Sequence, residues 1–186
     1  DDPESRAANQ LPHDYGVDDV PVIVQDKRFD DGELTYGRSL FSGTGRLGGT
    51  LRRSKLPVRE AGDKDPIAPG CVYVAPADYH LLVDEGRFAL TLEGPVRYSR
   101  PSIDVLFESA ADAYGPDVLA IVLTGSNDDG CRGALRVKEA GGVVYAQDPD
   151  TAERREMPDG VIGSGSADAV LRIDELASRL NELGRR

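Results

Sequence analysis

The most informative pattern lies at residues 119–142, LAIVLTGSNDDGCRGALRVKEAGG. LAIVL is an unbroken apolar run of strand length. TGSNDDG is a polar turn, and apolar positions recur at helical spacing from Cys131 until Gly141-Gly142. That order puts Asp128 and Asp129 where a strand end meets a helix N-terminus, the usual mouth of an open parallel α/β sheet. A carboxylate there is expected to stay ionised through the helix dipole and free N–H groups. A histidine general base needs such a carboxylate behind it.

Elsewhere the periodicity predicts further elements. VPVIVQ at 20–25 is a β-branched run interrupted by Pro21 and predicts an edge strand. DKRFDDGELTYG predicts a hairpin turning at Asp31-Gly32, and residues 38–49 have no period and read as loop. CVYVA at 71–75 predicts a strand, and residues 81–83 and 87–92 a hairpin around Asp84-Glu85-Gly86. Ser102 is expected to cap a helix to Tyr114, with Ile103, Leu106, Phe107, Ala110 and Ala111 on one face and Gly115-Pro116 as the stop. Residues 143–146 predict a buried strand, DPDTAERREMP a loop with a helical turn, and 169–173 a last strand. Asp174 then caps a terminal helix striped with Leu176, Leu180 and Leu183. Strands alternating with helices from Cys71 onward predict an α/β fold with a largely parallel sheet, and the first 49 residues predict β structure.

Composition narrows the partners. Lys+Arg 22 against Asp+Glu 33 gives a net charge of −11. Nucleic acid and anionic membrane surfaces both need a basic footprint, so neither is expected. No apolar run is long enough for membrane insertion. Cys71 and Cys131 match no metal or redox spacing, and a reducing cytoplasm is the expected location. Residues 1–10 are polar and expected to be disordered. The chain opens on Asp1, which suggests a fragment, a processed product or a trimmed chain.

Five segments carry a family resemblance. GCVYVAPADYHLLV, YSRPSIDVLFESAADAYG, VLTGSNDDG, ALRVKEAGGVVYAQDP and MPDGVIGSGSADAVL follow the order and spacing of the CheB-type protein-glutamate methylesterase domain, from Thr50 to about Leu183. The resemblance implies a serine hydrolase with a Ser-His-Asp triad on a doubly wound sheet. Such enzymes demethylate glutamyl esters on the cytoplasmic helices of chemoreceptors, and many deamidate receptor glutamines. Carried over by position, the triad acid falls on Asp129, with Asp128 a solvated neighbour or cap. Ser126 falls in the loop whose N–H groups lie near the oxyanion. His80 falls near the site but outside the triad, in a structural or substrate-facing role. Arg100 is either cleft-facing, toward a carboxylate-bearing substrate, or a surface arginine. No cofactor and no metal are expected. The implied partners are methylated receptor helices and a receiver domain acting in trans.

The chain departs from that pattern at its start. The family's nucleophile turn (Gly-Ala-Ser-Thr-Gly-Gly type) and its His-Met-Pro segment belong before Leu51, and neither is present. The family-like sequence begins at TLRRSKLPVREAGD, within or just after an early helix. Residues 1–49 instead resemble the end of a multicopper-oxidase cupredoxin domain and its linker. They hold no His-x-His copper pair, and His13 is not at a ligand position. The expected organisation is therefore a multicopper-oxidase-like β segment over 1–49, without copper ligands, joined near Gly49-Thr50 to an N-terminally truncated methylesterase-like domain over 50–186. The expected fold is α/β: an incomplete doubly wound, mainly parallel sheet with flanking helices plus a short N-terminal β segment. The chain itself is expected to be inactive, for want of the triad's Ser and His. Ser39, Ser42 or Thr44 could replace the nucleophile only if a strand preceded SGTGRLGG. Residues 43–48 match GxGxxG without the flanking strand and helix that would give the match meaning. Cys131 is either a thiol activated by a helix N-terminus or a small buried thiol whose ionisation the neighbouring carboxylates oppose.

Overall fold

The computed structural model describes Val22–Val24, Arg28–Asp30, Glu33–Thr35 and residues 56–183. The expectations for residues 1–10, His13, the 38–49 loop with Ser39, Ser42 and Thr44, the Gly49-Thr50 junction and the early helix lie outside the described residues. Within them the chain forms an α/β arrangement of parallel sheets, hairpins and flanking helices.

The first strand, β1 (Val22–Val24), falls within the VPVIVQ run. It is followed by the antiparallel pair β2 (Arg28–Asp30) and β3 (Glu33–Thr35), in which Asp30 faces Glu33 as a two-residue turn at 31–32 requires. Two further strands, β4 (Val58–Glu60) and β5 (Val72–Val74), complete a parallel sheet ordered β1-β5-β4. Among the described strands β1 lies at the sheet edge, as Pro21 predicts, and it pairs with β5 across the expected boundary at residue 49. β4 escapes the sequence pattern because only Val58 of its three residues is buried.

Next comes the hairpin β6 (His80–Asp84) and β7 (Arg87–Thr91), joined through Glu85 and Gly86. Both turn residues have positive φ (44° and 78°), the form that matches strand twist. Leu81 and Phe88 are fully buried, each stabilising by about 1.5–3 kcal/mol. Phe88 meets Tyr73 edge-on, with ring centroids 4.7 Å apart.

Helix α1 (Ile103–Tyr114) follows, ending at Gly115 with φ 55° and a 3-10 turn over Gly115–Asp117. A second parallel sheet then forms from β8 (Leu119–Val122), β9 (Val143–Gln147) and β10 (Ala169–Leu171), ordered β10-β9-β8. Helix α2 (Cys131–Glu139) connects β8 to β9. Phe107 packs against both hydrophobic clusters, that of β5–β7 and that of β8–β9, so α1 joins the two halves of the core. The chain closes with α3 (Glu156–Gly163) and α4 (Ile173–Leu183).

Two expectations need correction. The sequence predicts only a helical turn before 158, whereas α3 runs through PDGVIG. Its Pro158 lies in the first turn, where a missing N–H costs no helical bond, and buried Val161 anchors it. The terminal helix is not capped by Asp174, which lies inside its first turn. Glu175 instead reaches back to accept from the Arg172 N–H at 2.8 Å. Of the predicted stripe, Leu176 is buried but Leu180 is 45% exposed.

Candidate functional site

The site forms where the turn after β8 meets the N-terminus of α1. Asp129 is 1% exposed. Its Oδ1 accepts from the Ser102 hydroxyl (2.7 Å) and the Asp104 N–H (3.1 Å), and its Oδ2 accepts from the Ile103 N–H (2.9 Å). Asp129 is thus held by a helix N-terminus, as expected, but the helix is α1 rather than α2, which it precedes. Ser102 occupies the N-cap position of α1 without capping it, because Asp129 takes the Ile103 and Asp104 N–H groups while the serine hydroxyl donates to the same carboxylate. A carboxylate offers about four lone-pair sites, so among the described residues one on Oδ2 is left beyond these three donors.

Asp104, a residue the sequence pattern did not single out, returns the exchange. It sits in the first turn of α1, fully buried, and its Oδ1 accepts from the Gly130 and Gly133 N–H groups at 2.9 and 2.8 Å. Each helix is therefore capped by a carboxylate from the other's end. The two ends must lie close for this, and a Cβ added to Gly133 would sit 2.7 Å from Phe107 Cβ and 3.0 Å from Asp104 Cα. Asp104 Oδ2 has no hydrogen-bond donor. Its compensation is the Arg97 guanidinium, whose Nε lies 3.4 Å away and whose Nη1 pairs with Asp128. Asp128 is itself 59% exposed, a solvated neighbour carrying an ion pair.

The other predicted residues take distinct places. His80 is 1% exposed with both ring nitrogens engaged: Nδ1 accepts from the Ser102 N–H (3.1 Å) and Nε2 faces the Gly94 carbonyl (3.1 Å). A carbonyl can only accept, so the ring proton resides on Nε2 and the imidazole acts as a strut between β6 and α1. Arg100 is half-buried. Its Nη1 donates to the Leu92 and Glu93 carbonyls at 3.3 and 3.2 Å, and its Nε is buried without a partner. Ser126 is exposed on the turn. The backbone beside it is fixed by Asn127, whose Oδ1 accepts from the Asp129 N–H and whose Nδ2 donates to Ser99 Oγ. On the other side, Thr124 and Gly125 are tied to Gln147 and to the Arg154 carbonyl.

The Cys131 thiol is pushed above its ordinary pKa, first by burial and then by Asp104, with Arg97 opposing. It is a protonated packing group, not an activated nucleophile. Among the described residues no group of three or more His, Cys, Asp and Glu side chains is placed to hold a metal ion. No described helix is long and apolar enough to cross a membrane. The site brings together Asp129, Ser102, Asp104, Asn127 and Arg97, while His80 reaches Asp129 only through Ser102.

Known proteins resemble this chain in sequence and in fold. The CheB methylesterase family model matches residues 44–180. A Saccharophagus degradans protein-glutamate methylesterase/protein-glutamine glutaminase is 47% identical over 131 residues, 69% of this chain and 36% of its own length. A Leptospira interrogans relative is 43% identical over 123 residues, 66% of this chain and 64% of its own. The chain thus spans less than two thirds of these relatives. The crystal structure of the Thermotoga maritima CheB methylesterase catalytic domain is similar with a TM-score of 0.76 and 32% identity, covering 97% of this chain and 92% of that one. This chain belongs to the CheB methylesterase family.

Proposed function

We propose that this chain carries the acid half of a protein-glutamate methylesterase site. On this reading Asp129 is the triad acid, and the chain as given turns over little or no ester because it lacks the partner serine and histidine. One observation carries the assignment. Asp129 is buried, oriented by three donors and, among the described residues, has an acceptor site to spare. A triad acid must offer this to an imidazole N–H in order to fix its tautomer and stabilise the imidazolium. The names of the relatives support protein glutamyl methyl esters, and protein glutamines, as the substrate class. The partners on this reading are the methylated cytoplasmic helices of chemoreceptors, with a receiver domain in trans, and the location is the cytoplasm. Ser126 belongs to the oxyanion loop, and His80 and Arg100 are positioning groups.

Residues 1–49 are proposed to contribute β structure without copper chemistry. The stretch resembles a multicopper-oxidase segment but has no His-x-His pair, and the pairing of β1 with β5 supports a structural contribution. A colourless protein free of copper on metal analysis is expected, and stoichiometric copper would contradict it.

The activity test is methanol release from methylated receptor. None above buffer is expected from the chain, and none from Asp129→Ala. Release that Asp129→Ala abolishes would overturn the inactivity and reveal a substitute nucleophile. A second reading, a receptor-binding remnant, is favoured by the intact packing around the site and predicts co-sedimentation with methylated receptor without turnover.

A further inference from the structure

The segment between β7 and α1 is held unusually firmly for a connection. His80 bonds the Gly94 carbonyl, and Arg100 bonds the Leu92 and Glu93 carbonyls. Val96 and Ser99 exchange both backbone hydrogen bonds, at 3.0 and 2.8 Å, around a two-residue bend. The bend residues are Arg97 and Tyr98, with φ 47° and 63°. Glycine and asparagine favour this geometry, and two larger side chains in succession at positive φ are strained. Arg97 explains its own place, because it neutralises Asp104 and Asp128. Tyr98 has no such account. It is 96% exposed, and Leu92, at the other end of the segment, is 64% exposed. The bend lies directly against the candidate site, since Asn127 donates to Ser99 and Arg97 reaches Asp128.

We propose that the Arg97–Tyr98 bend is the substrate-reading element of this site, receiving the helix that carries neutralised glutamates. The proposal rests on the receptor-directed reading above and deepens it. Tyr98 supplies a rigid aromatic contact for apolar side chains of that helix, at the small entropy cost of two side-chain torsions. Charge supplies the preference. Among the described residues Asp104 and Asp128 pair with Arg97 alone, and Arg132, which also acts on Asp104 and Asp129, is already neutralised by Glu108. A methyl ester or amide enters this net-negative mouth without penalty, whereas an ionised glutamate is repelled. The same bend would thus favour substrate over the carboxylate product.

Binding of the intact chain to three synthetic helical peptides tests this: one bearing glutamyl methyl esters, one with glutamines and one with free glutamates. Tyr98→Gly is the informative variant, because glycine suits the positive φ and should leave thermal stability unchanged or raised. The ester and glutamine peptides are expected to bind several-fold more tightly than the glutamate peptide, with a gap that narrows in high salt. Tyr98→Gly is expected to weaken ester-peptide binding roughly tenfold or more. Val170→Ala, at a surface position 45% exposed, is expected to leave it unchanged. Ester-peptide binding that Tyr98→Gly leaves intact would overturn the bend as reader while sparing the functional reading. Equal binding of the glutamate peptide would overturn the charge preference. Failure of the unaltered chain to bind any peptide would overturn both the receptor-directed reading and this inference.

Discussion

Asp129 and His80 meet at the start of α1, each 1% exposed and each bonded to Ser102. Both are residue types that catalyse. They differ in what their hydrogen bonds leave over. The imidazole has two ring nitrogens and both are spent, one on the Ser102 N–H and one on the Gly94 carbonyl. Among the described residues the carboxylate has three donors for about four sites and keeps one in reserve. Burial and titratable character therefore do not separate the two residues. On the proposed reading of Asp129 as triad acid, the acceptor site it keeps among the described residues does.

The sharpest way to break the comparison is to remove each group in turn. Asp129→Ala strands the Ile103 and Asp104 N–H groups and the Ser102 hydroxyl, with an expected loss of about 3 kcal/mol of unfolding free energy in denaturant titration. A loss below about 1 kcal/mol would mean that water replaces the carboxylate easily. His80→Phe keeps the ring volume but strands the Ser102 N–H and the Gly94 carbonyl, for an expected loss of about 2 kcal/mol. Gly133→Ala probes the exchange of caps between α1 and α2. Its Cβ meets Asp104 backbone that cannot easily yield, and a loss of about 1–3 kcal/mol is expected by the same titration.

The smallest expected effect is a pH dependence. The Cys131 thiol has a folded pKa above its ordinary value, so the folded chain holds that proton at a pH where the unfolded chain releases it. Its contribution to stability is fully present below the unfolded thiol pKa, about 8.5, and is lost as pH rises through the folded one. Comparing alkaline stability curves of the chain and of Cys131→Ser isolates this group. A contribution that grows with pH would contradict the assignment, as would fast thiol alkylation at neutral pH.

Much of this architecture was legible in local sequence. Asp31-Gly32 and Glu85-Gly86 announce their hairpins, LAIVL its strand, and Ser102 with Gly115-Pro116 the ends of α1. What escaped has a common cause. β4 has one buried residue and no period, and α3 contains Pro158 and two glycines, so tertiary packing decides both. Asp104 was missed because its partners lie 26 and 29 residues away. A signal did exist: an acid in the first turn of an amphipathic helix, on the face that also carries Phe107. Asp129 was found because a carboxylate at a strand end is a local pattern, but which helix it caps was not, since that depends on α1 folding back. The role of His80 was undecidable locally for the same reason, because Gly94 and Ser102 reach it from later in the chain.

The reserve acceptor on Asp129 can be tested by giving it a partner. Grafting the serine turn and histidine segment of a complete relative onto this chain, and measuring methanol release from methylated receptor, does so directly. The graft is expected to turn over ester, and Asp129→Asn in the graft to lower kcat by about 10⁴-fold, through loss of the correct imidazole tautomer. Turnover by the graft that Asp129→Asn leaves unchanged would contradict the reading of Asp129 as triad acid.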